Sequence, residues 1–218
     1  MSKYILFDLD GTVTDPEVGI TLSVAYALRH YGIEVEDARS LRKFIGPPLH
    51  DSFIDFYGFS REKAFEAVDK YRERFAETGI FENEPYEGIH ELLAQLKSEG
   101  YIMAIASSKP EVFTKRIIEH FDLSPYFTEV CGSELDGKRT DKAEVITYAL
   151  EKLGSPAAED VIMVGDRHHD IVGAKKNGLT SIGVLYGFGS EDELHEAGAD
   201  YIAASVNDIG KIVSKIFN

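Results

Sequence analysis

From Tyr86 onward, helix-spaced apolar patterns alternate with short apolar runs of strand length. The spacing predicts helices over 88–97, 110–121, 142–153 and 170–177, and strands over 102–106, 127–131, 161–164 and 181–185. Strands separated by helices lie side by side only through crossover connections, so this order predicts a parallel sheet covered by helices on both faces. Tyr4-Ile5-Leu6-Phe7 adds a strand near the start, and a final helix is expected over 206–217. Ligands of such sheets bind at the carboxyl ends of the strands. The residues that follow each apolar run are therefore the ones to search for chemistry.

The interval between the first strand and Tyr86 has a different character. Ile20, Val24, Ala27, Leu28 and Tyr31 recur at helix spacing, as do Leu49, Phe53, Phe56 and Tyr57, then Phe65, Val68, Tyr71 and Phe75. Gly32, Gly46-Pro47-Pro48 and Gly58 punctuate these helices. With no strand pattern in between, residues 16–83 are expected to form an all-helical insertion, hinged near Pro16 and Pro85, in a core made of residues 1–15 and 84–218.

Composition narrows the function. A net charge of -15 over 218 residues argues against nucleic acid as a partner, because phosphate backbones require basic surface. No apolar run approaches the length of a membrane span. Cys131 is the one cysteine, which rules out an internal disulfide and suits a reducing, cytoplasmic location. Its expected place is inside a strand.

The first strand ends in Asp8-Leu9-Asp10-Gly11-Thr12. Side chains alternate along a strand, so Asp8 and Asp10 point to one side. At an effective dielectric of about 20 such a pair repels by a few kcal/mol, which implies a bound cation, a shared proton, or both. After the strand over 161–164, Asp166 leaves the strand end and Asp170 follows one helical turn later, facing the same cleft. Four converging carboxylates suit a hard, oxygen-seeking divalent ion, magnesium above all. After the strand over 102–106 comes Ser107-Ser108-Lys109-Pro110. Here a serine can cap the next helix and Pro110 can occupy its first turn. Free N–H groups, a hydroxyl and the Lys109 ammonium also outline an anion site. Lys142 opens a helix, a position unfavourable to a cation unless it faces an anion.

Two superficially similar motifs fail. Gly132 to Arg139 has the spacing of a nucleotide-binding P-loop, but Arg139 stands where Ser or Thr must follow the lysine, and Glu134 and Asp136 would repel a polyphosphate. His168 and His169 are adjacent, and neighbouring histidines rarely reach one ion; an exposed helix start is the better expectation.

In order, Asp8-x-Asp10-Gly11-Thr12, Ser107, Lys142 and Gly165-Asp166-x-x-x-Asp170 resemble the four motifs of the phosphatase branch of the haloacid dehalogenase superfamily. The resemblance spans nearly the whole chain. Gly165-Asp166-Arg167 and Gly183-Val184-Leu185-Tyr186-Gly187 are similar to stretches of phosphoglycolate phosphatases and their relatives, including some 5'-nucleotidases. The fold implied is a doubly wound parallel α/β sheet, a Rossmann-like core, with an inserted all-helical cap domain. The activity implied is magnesium-dependent hydrolysis of a small phosphorylated metabolite, phosphoglycolate first and nucleoside monophosphates next, or phosphoryl transfer by a sugar-phosphate mutase of the β-phosphoglucomutase type.

The resemblance also implies roles. Asp8 is the nucleophile that becomes an aspartyl-phosphate, and Asp10 the general acid and base. Magnesium is held by Asp8, Asp10 through its carbonyl, and Asp166, with Asp170 a ligand or a partner of the ligands. Ser107 and Lys142 bind phosphate oxygens, Lys142 also pairing with Asp8, while Ser108 and Lys109 join the phosphate site. Many relatives have proline after the motif lysine, whereas Ala143 follows Lys142 here, so Lys138 stands beside Lys142 as a candidate for that role. Arg42 and Lys43 are candidates for contacting the rest of the substrate, or else the polar face of a cap helix.

Overall fold

The computed structural model describes residues 2–217. The elements follow in chain order: β1 (Tyr4–Phe7), β2 (Thr14–Asp15), α1 (Glu17–His30), a 3-10 segment (Ala38–Phe44), α2 (Leu49–Tyr57), α3 (Arg61–Phe75) and β3 (Glu84–Pro85). The alternating part comprises α4 (Ile89–Ser98), β4 (Ile102–Pro110), α5 (Glu111–His120), β5 (Glu129–Ser133), α6 (Lys142–Lys152), β6 (Val161–Gly165), α7 (His168–Lys176) and β7 (Thr180–Val184). It closes with α8 (Glu191–Ala197), β8 (Tyr201–Ala203) and α9 (Val206–Phe217). Strands β2 and β3 pair separately in a two-stranded sheet.

Six strands form a parallel sheet in the order β5-β4-β1-β6-β7-β8. Strand β1 is interior, with Leu6 in register with Ala104 on one side and Met163 on the other. Those three side chains share a sheet face and pack with Cys131, Val145, Ile146, Ala149 and Ala174 into one buried cluster under α6 and α7. Ile5 and Phe7 point to the opposite face and are also fully buried. Burial on both faces explains why the strand reads as an unbroken apolar run. Each such side chain contributes roughly 1.5–3 kcal/mol.

The chain divides into two compact units, Met1–Asp15 with Pro85–Asn218, and Pro16–Glu84. In the second, α1 packs on α3 and on the 3-10 segment, and α2 packs on α3. Gly58 ends α2 at φ 62°, the left-handed conformation that a glycine adopts without strain. Phe53 stacks on Phe59 and meets Phe44 edge-on in the centre. Phe56 and Phe65, expected on buried faces, are exposed: the Lys43 ammonium lies 4.3 Å from the Phe56 ring, and His50 stacks on Phe65.

Elsewhere the fold departs from the expectation in three places. Strand β4 runs on to Pro110, through an irregular register that pairs Pro110 with Ser133. Helix α7 starts at His168, because the Asp170 carboxylate turns back to accept the Arg167 N–H at 3.0 Å. Helix α8 and strand β8 carry weak patterns, one buried leucine (Leu194) and a three-residue edge strand, and the sequence reading passes over them.

Candidate active site

Strand β1 hands its geometry to Asp8, whose N–H donates to the Val164 carbonyl at 2.9 Å and so extends the β1–β6 ladder by one residue. The chain then folds back on itself. The Leu9 carbonyl accepts from the N–H groups of Val13 and Thr14 at 2.9 and 3.0 Å, and the Gly11 N–H donates to the Thr14 carbonyl at 2.8 Å. Gly11 has φ 86°, and a β-carbon there would collide with the Asp166 carboxylate. Only glycine satisfies both demands.

Lys142 is the first residue of α6, after Asp141, which caps the helix by accepting the Ala143 N–H at 2.7 Å. Its side chain is 5% exposed. Its ammonium lies 2.7 Å from Asp8 Oδ1 and 2.8 Å from Asp170 Oδ1, and it donates to the Ala106 carbonyl at 2.9 Å. Burial works against that charge, but Asp170 and Asp8 outweigh it and the lysine pKa rises. Lys138 is exposed and pairs with Asp136 at 2.8 Å. Of the two candidate lysines, Lys142 is the one among the carboxylates.

Lys109 is directed at Asp10, with Nζ 2.9 Å from Oδ1 and 2.7 Å from Oδ2. Burial raises the Asp10 pKa despite this cation. Ser107 is buried and its hydroxyl accepts the Lys109 N–H at 3.4 Å, while Ser108 is half-buried beside it. The expectation that a serine caps the following helix is corrected here: Pro110 occupies the cap position of α5 without a side-chain bond, because β4 continues through the serines.

Asp8, Asp166 and Asp170 each offer a carboxylate oxygen, and these oxygens lie within 4.8 Å of one another. Asp166 Oδ2 accepts the Phe188 N–H at 2.8 Å, whereas its buried Oδ1 has no hydrogen-bond partner among the described residues. Burial, reinforced by neighbouring carboxylates, raises the pKa of Asp166 and of Asp170. Lys142 and Lys109 offset two of the four carboxylate charges of Asp8, Asp10, Asp166 and Asp170. An orphaned oxygen in a cluster with surplus negative charge fits a divalent cation.

The remaining candidates have partners of their own. Arg42 pairs with Glu17 at 2.7 Å within the helical unit, and Lys43 covers Phe56. His168 Nδ1 is 2.7 Å from Glu193, which also receives the Arg167 side chain and the His168 N–H, both at 2.9 Å. Burial, and His168 alongside, push the His169 pKa down to about 4. Sequence reasoning missed Glu193, and it missed the contacts of the loop after β7. Two glycines alternating with aromatic residues after a strand are the available signal for close backbone approach.

A parallel sheet that gathers carboxylates and buried lysines where its strands end defines a doubly wound α/β enzyme, with a carboxylate-rich site. The chain belongs to the haloacid dehalogenase-like hydrolases, whose family model matches residues 5–184. It is 53% identical to a 5'-nucleotidase of Pseudomonas aeruginosa, over 87% of this chain and 86% of that protein. It is 26% identical to a phosphoglycolate phosphatase of Vibrio parahaemolyticus, over 97% and 96% of the two chains. Among solved structures, a predicted phosphatase from Clostridium acetobutylicum superimposes with a TM-score of 0.95 at 51% identity, covering 99% of each chain.

Proposed function

We propose that the protein is a magnesium-dependent phosphatase of small phosphomonoesters that works through an aspartyl-phosphate. The observation that carries this reading is the position of Asp8, which shares the Lys142 ammonium with Asp170 and belongs to the same oxygen cluster as Asp166. In the first step an Asp8 oxygen forms a bond to phosphorus as the ester P–O bond breaks, and Asp10 protonates the departing alkoxide. Its raised pKa suits an acid. In the second step water attacks phosphorus and gives a proton to Asp10, and inorganic phosphate leaves with Asp8 restored. Ser107, Ser108 and Lys109 supply a hydroxyl, N–H groups and a cation for the phosphate oxygens, and Lys142 holds Asp8 in orientation. Asp8, the Asp10 carbonyl, Asp166 and Asp170 would hold the magnesium ion, which offsets the carboxylate charge facing an anionic substrate and polarises the phosphoryl group.

Sequence resemblance puts phosphoglycolate first. The greater likeness to the 5'-nucleotidase than to the phosphoglycolate phosphatase moves nucleoside monophosphates ahead as the substrate class to test. Arg42 and Lys43 are assigned to the part of the substrate beyond its phosphate. The deciding experiment measures phosphate release from nucleoside monophosphates, phosphoglycolate and hexose phosphates, with magnesium or chelator, for the wild type and Asp8→Asn. Turnover that needs both magnesium and Asp8 is expected. An isomerised hexose phosphate without free phosphate would replace the phosphatase reading with a mutase, and inertness toward every ester would end it.

A further inference from the structure

The loop that follows β7, Leu185 to Ser190, takes no part in the steps above, yet it is built closely around one ligand of the cluster. Four contacts converge. The Phe188 N–H donates to Asp166 Oδ2 at 2.8 Å. The Tyr186 hydroxyl donates to the Thr12 carbonyl at 2.8 Å, on the turn that carries Asp10 and Gly11. A β-carbon on Gly187 would collide with the Gly11 carbonyl oxygen and the Asp166 side chain, and one on Gly189 with the Asp166 carbonyl oxygen. Neither glycine has a positive φ, so closeness rather than backbone freedom requires them. Tyr86 supports the arrangement from the other side, with its ring edge-on to Tyr186 at 4.8 Å and its N–H donating to the Val13 carbonyl at 3.1 Å.

We propose that Tyr186-Gly187-Phe188-Gly189 is a positioning clamp for the cation site. The clamp satisfies Asp166 Oδ2, leaves Oδ1 for the ion, and ties this carboxylate to the turn after β1. A ligand oxygen engaged by a backbone N–H cannot rotate freely, and partners of metal ligands typically govern affinity by 10–100-fold. The tie through Tyr186 and Thr12 adds a second consequence. The two segments that contribute ligands, at the ends of β1 and β6, keep one spacing through a loop that holds no ligand itself.

The inference rests on the reading of Asp8, Asp166 and Asp170 as a divalent-cation site. Its test is calorimetric titration of magnesium chloride into the metal-free wild type, Tyr186→Phe and Gly187→Ala, alongside the thermal midpoint of each in chelator. About tenfold or greater loss of magnesium affinity is expected in both variants. If Gly187→Ala does not fold, Tyr186→Phe, which removes one atom and adds none, decides the matter. No binding by the wild type would overturn the cation reading and the clamp together. Wild-type binding with unchanged affinity in the variants would overturn the clamp alone, even if their metal-free midpoints fall, because that pattern belongs to a merely structural role.

Discussion

Lys109 places its ammonium between the two carboxylate oxygens of Asp10, at 2.9 and 2.7 Å. Lys142 does the corresponding work for Asp8 and Asp170. Among the described residues Asp166 has one hydrogen bond, from the Phe188 N–H. Two ammonium charges thus face four carboxylates, and Asp166 is the one of the four that neither lysine pairs with.

Lys109→Met strands Asp10 as a buried anion. Breaking a buried pair on one side costs about 3–5 kcal/mol, less where the survivor can take up a proton. Asp10 already has a raised pKa, and without Lys109 it rises further. A carboxyl whose folded pKa exceeds its unfolded value binds more protons in the folded state, so stability falls as pH increases above the unfolded value. Urea denaturation should show a variant deficit that widens as pH rises from the Asp10 pKa of the wild type to the higher one of the variant, and that is level beyond it. A deficit independent of pH would mean that Asp10 is not the group left unpaired.

Lys142→Ala removes the cation that two carboxylates share. A loss of about 3–5 kcal/mol is expected without metal, and magnesium chloride should restore part of it by supplying positive charge to the same oxygens. Equal stability losses with and without the salt would separate Lys142 from the cation site.

Asp166→Asn tests the unmatched carboxylate directly. Removing one of several repelling buried charges should leave the metal-free protein as stable as the wild type, or more so. The wild type should gain about 2.7 kcal/mol when magnesium is present at a hundred times its dissociation constant, a rise in midpoint of roughly 5–11 °C for a chain of this size. The variant should lose most of that gain. A magnesium shift of wild-type size in Asp166→Asn would exclude this residue as a ligand.

Glu193 offers the clearest pH signature away from the cluster. Burial would raise its pKa, but bonds from the His168 N–H and ring and from Arg167 prevail and bring it from 4.5 to about 2. Its contribution to stability is complete above the unfolded pKa and is lost as pH falls through the folded one. Glu193→Gln should cost about 1.5–3 kcal/mol near neutral pH. The gap from the wild type should narrow between about pH 4.5 and pH 2. A constant gap across that window would show that the charge on Glu193 does not hold the start of α7.

Much of this arrangement is legible in the sequence because its signals are local. Apolar runs with helices between them specify a parallel sheet, and the carboxylates at 8, 10, 166 and 170 stand just past strand ends that periodicity alone locates. What escapes is pairing over distance. Lys109 reads as an anion ligand from its neighbours, and its partner Asp10 lies 99 positions away. Ser107 reads as a helix cap because Pro110 follows, but the extension of β4 depends on its pairing with β5. Lys138 and Lys142 differ little as letters; the start of α6 and the burial of Lys142 separate them. The loop at 186–189 is hardest of all, since two of its residues are glycines placed for close approach and its bond to Asp166 comes from a backbone N–H.

The register of β1 bears on how the chain reaches its native state. Tyr4 lies beside Ile102 and Val161, so the strand that presents Asp8 cannot acquire either neighbour until distant segments arrive. The helices between residues 17 and 75 make their contacts with one another over shorter separations than β1 has to either partner, and less remote contacts form sooner. During synthesis, at about 5–20 residues per second, the interposed helices can settle while Ile5, Leu6 and Phe7 remain uncovered. The segment destined for the centre of the sheet thus stays uncovered on both edges until β4 and β6 have been made.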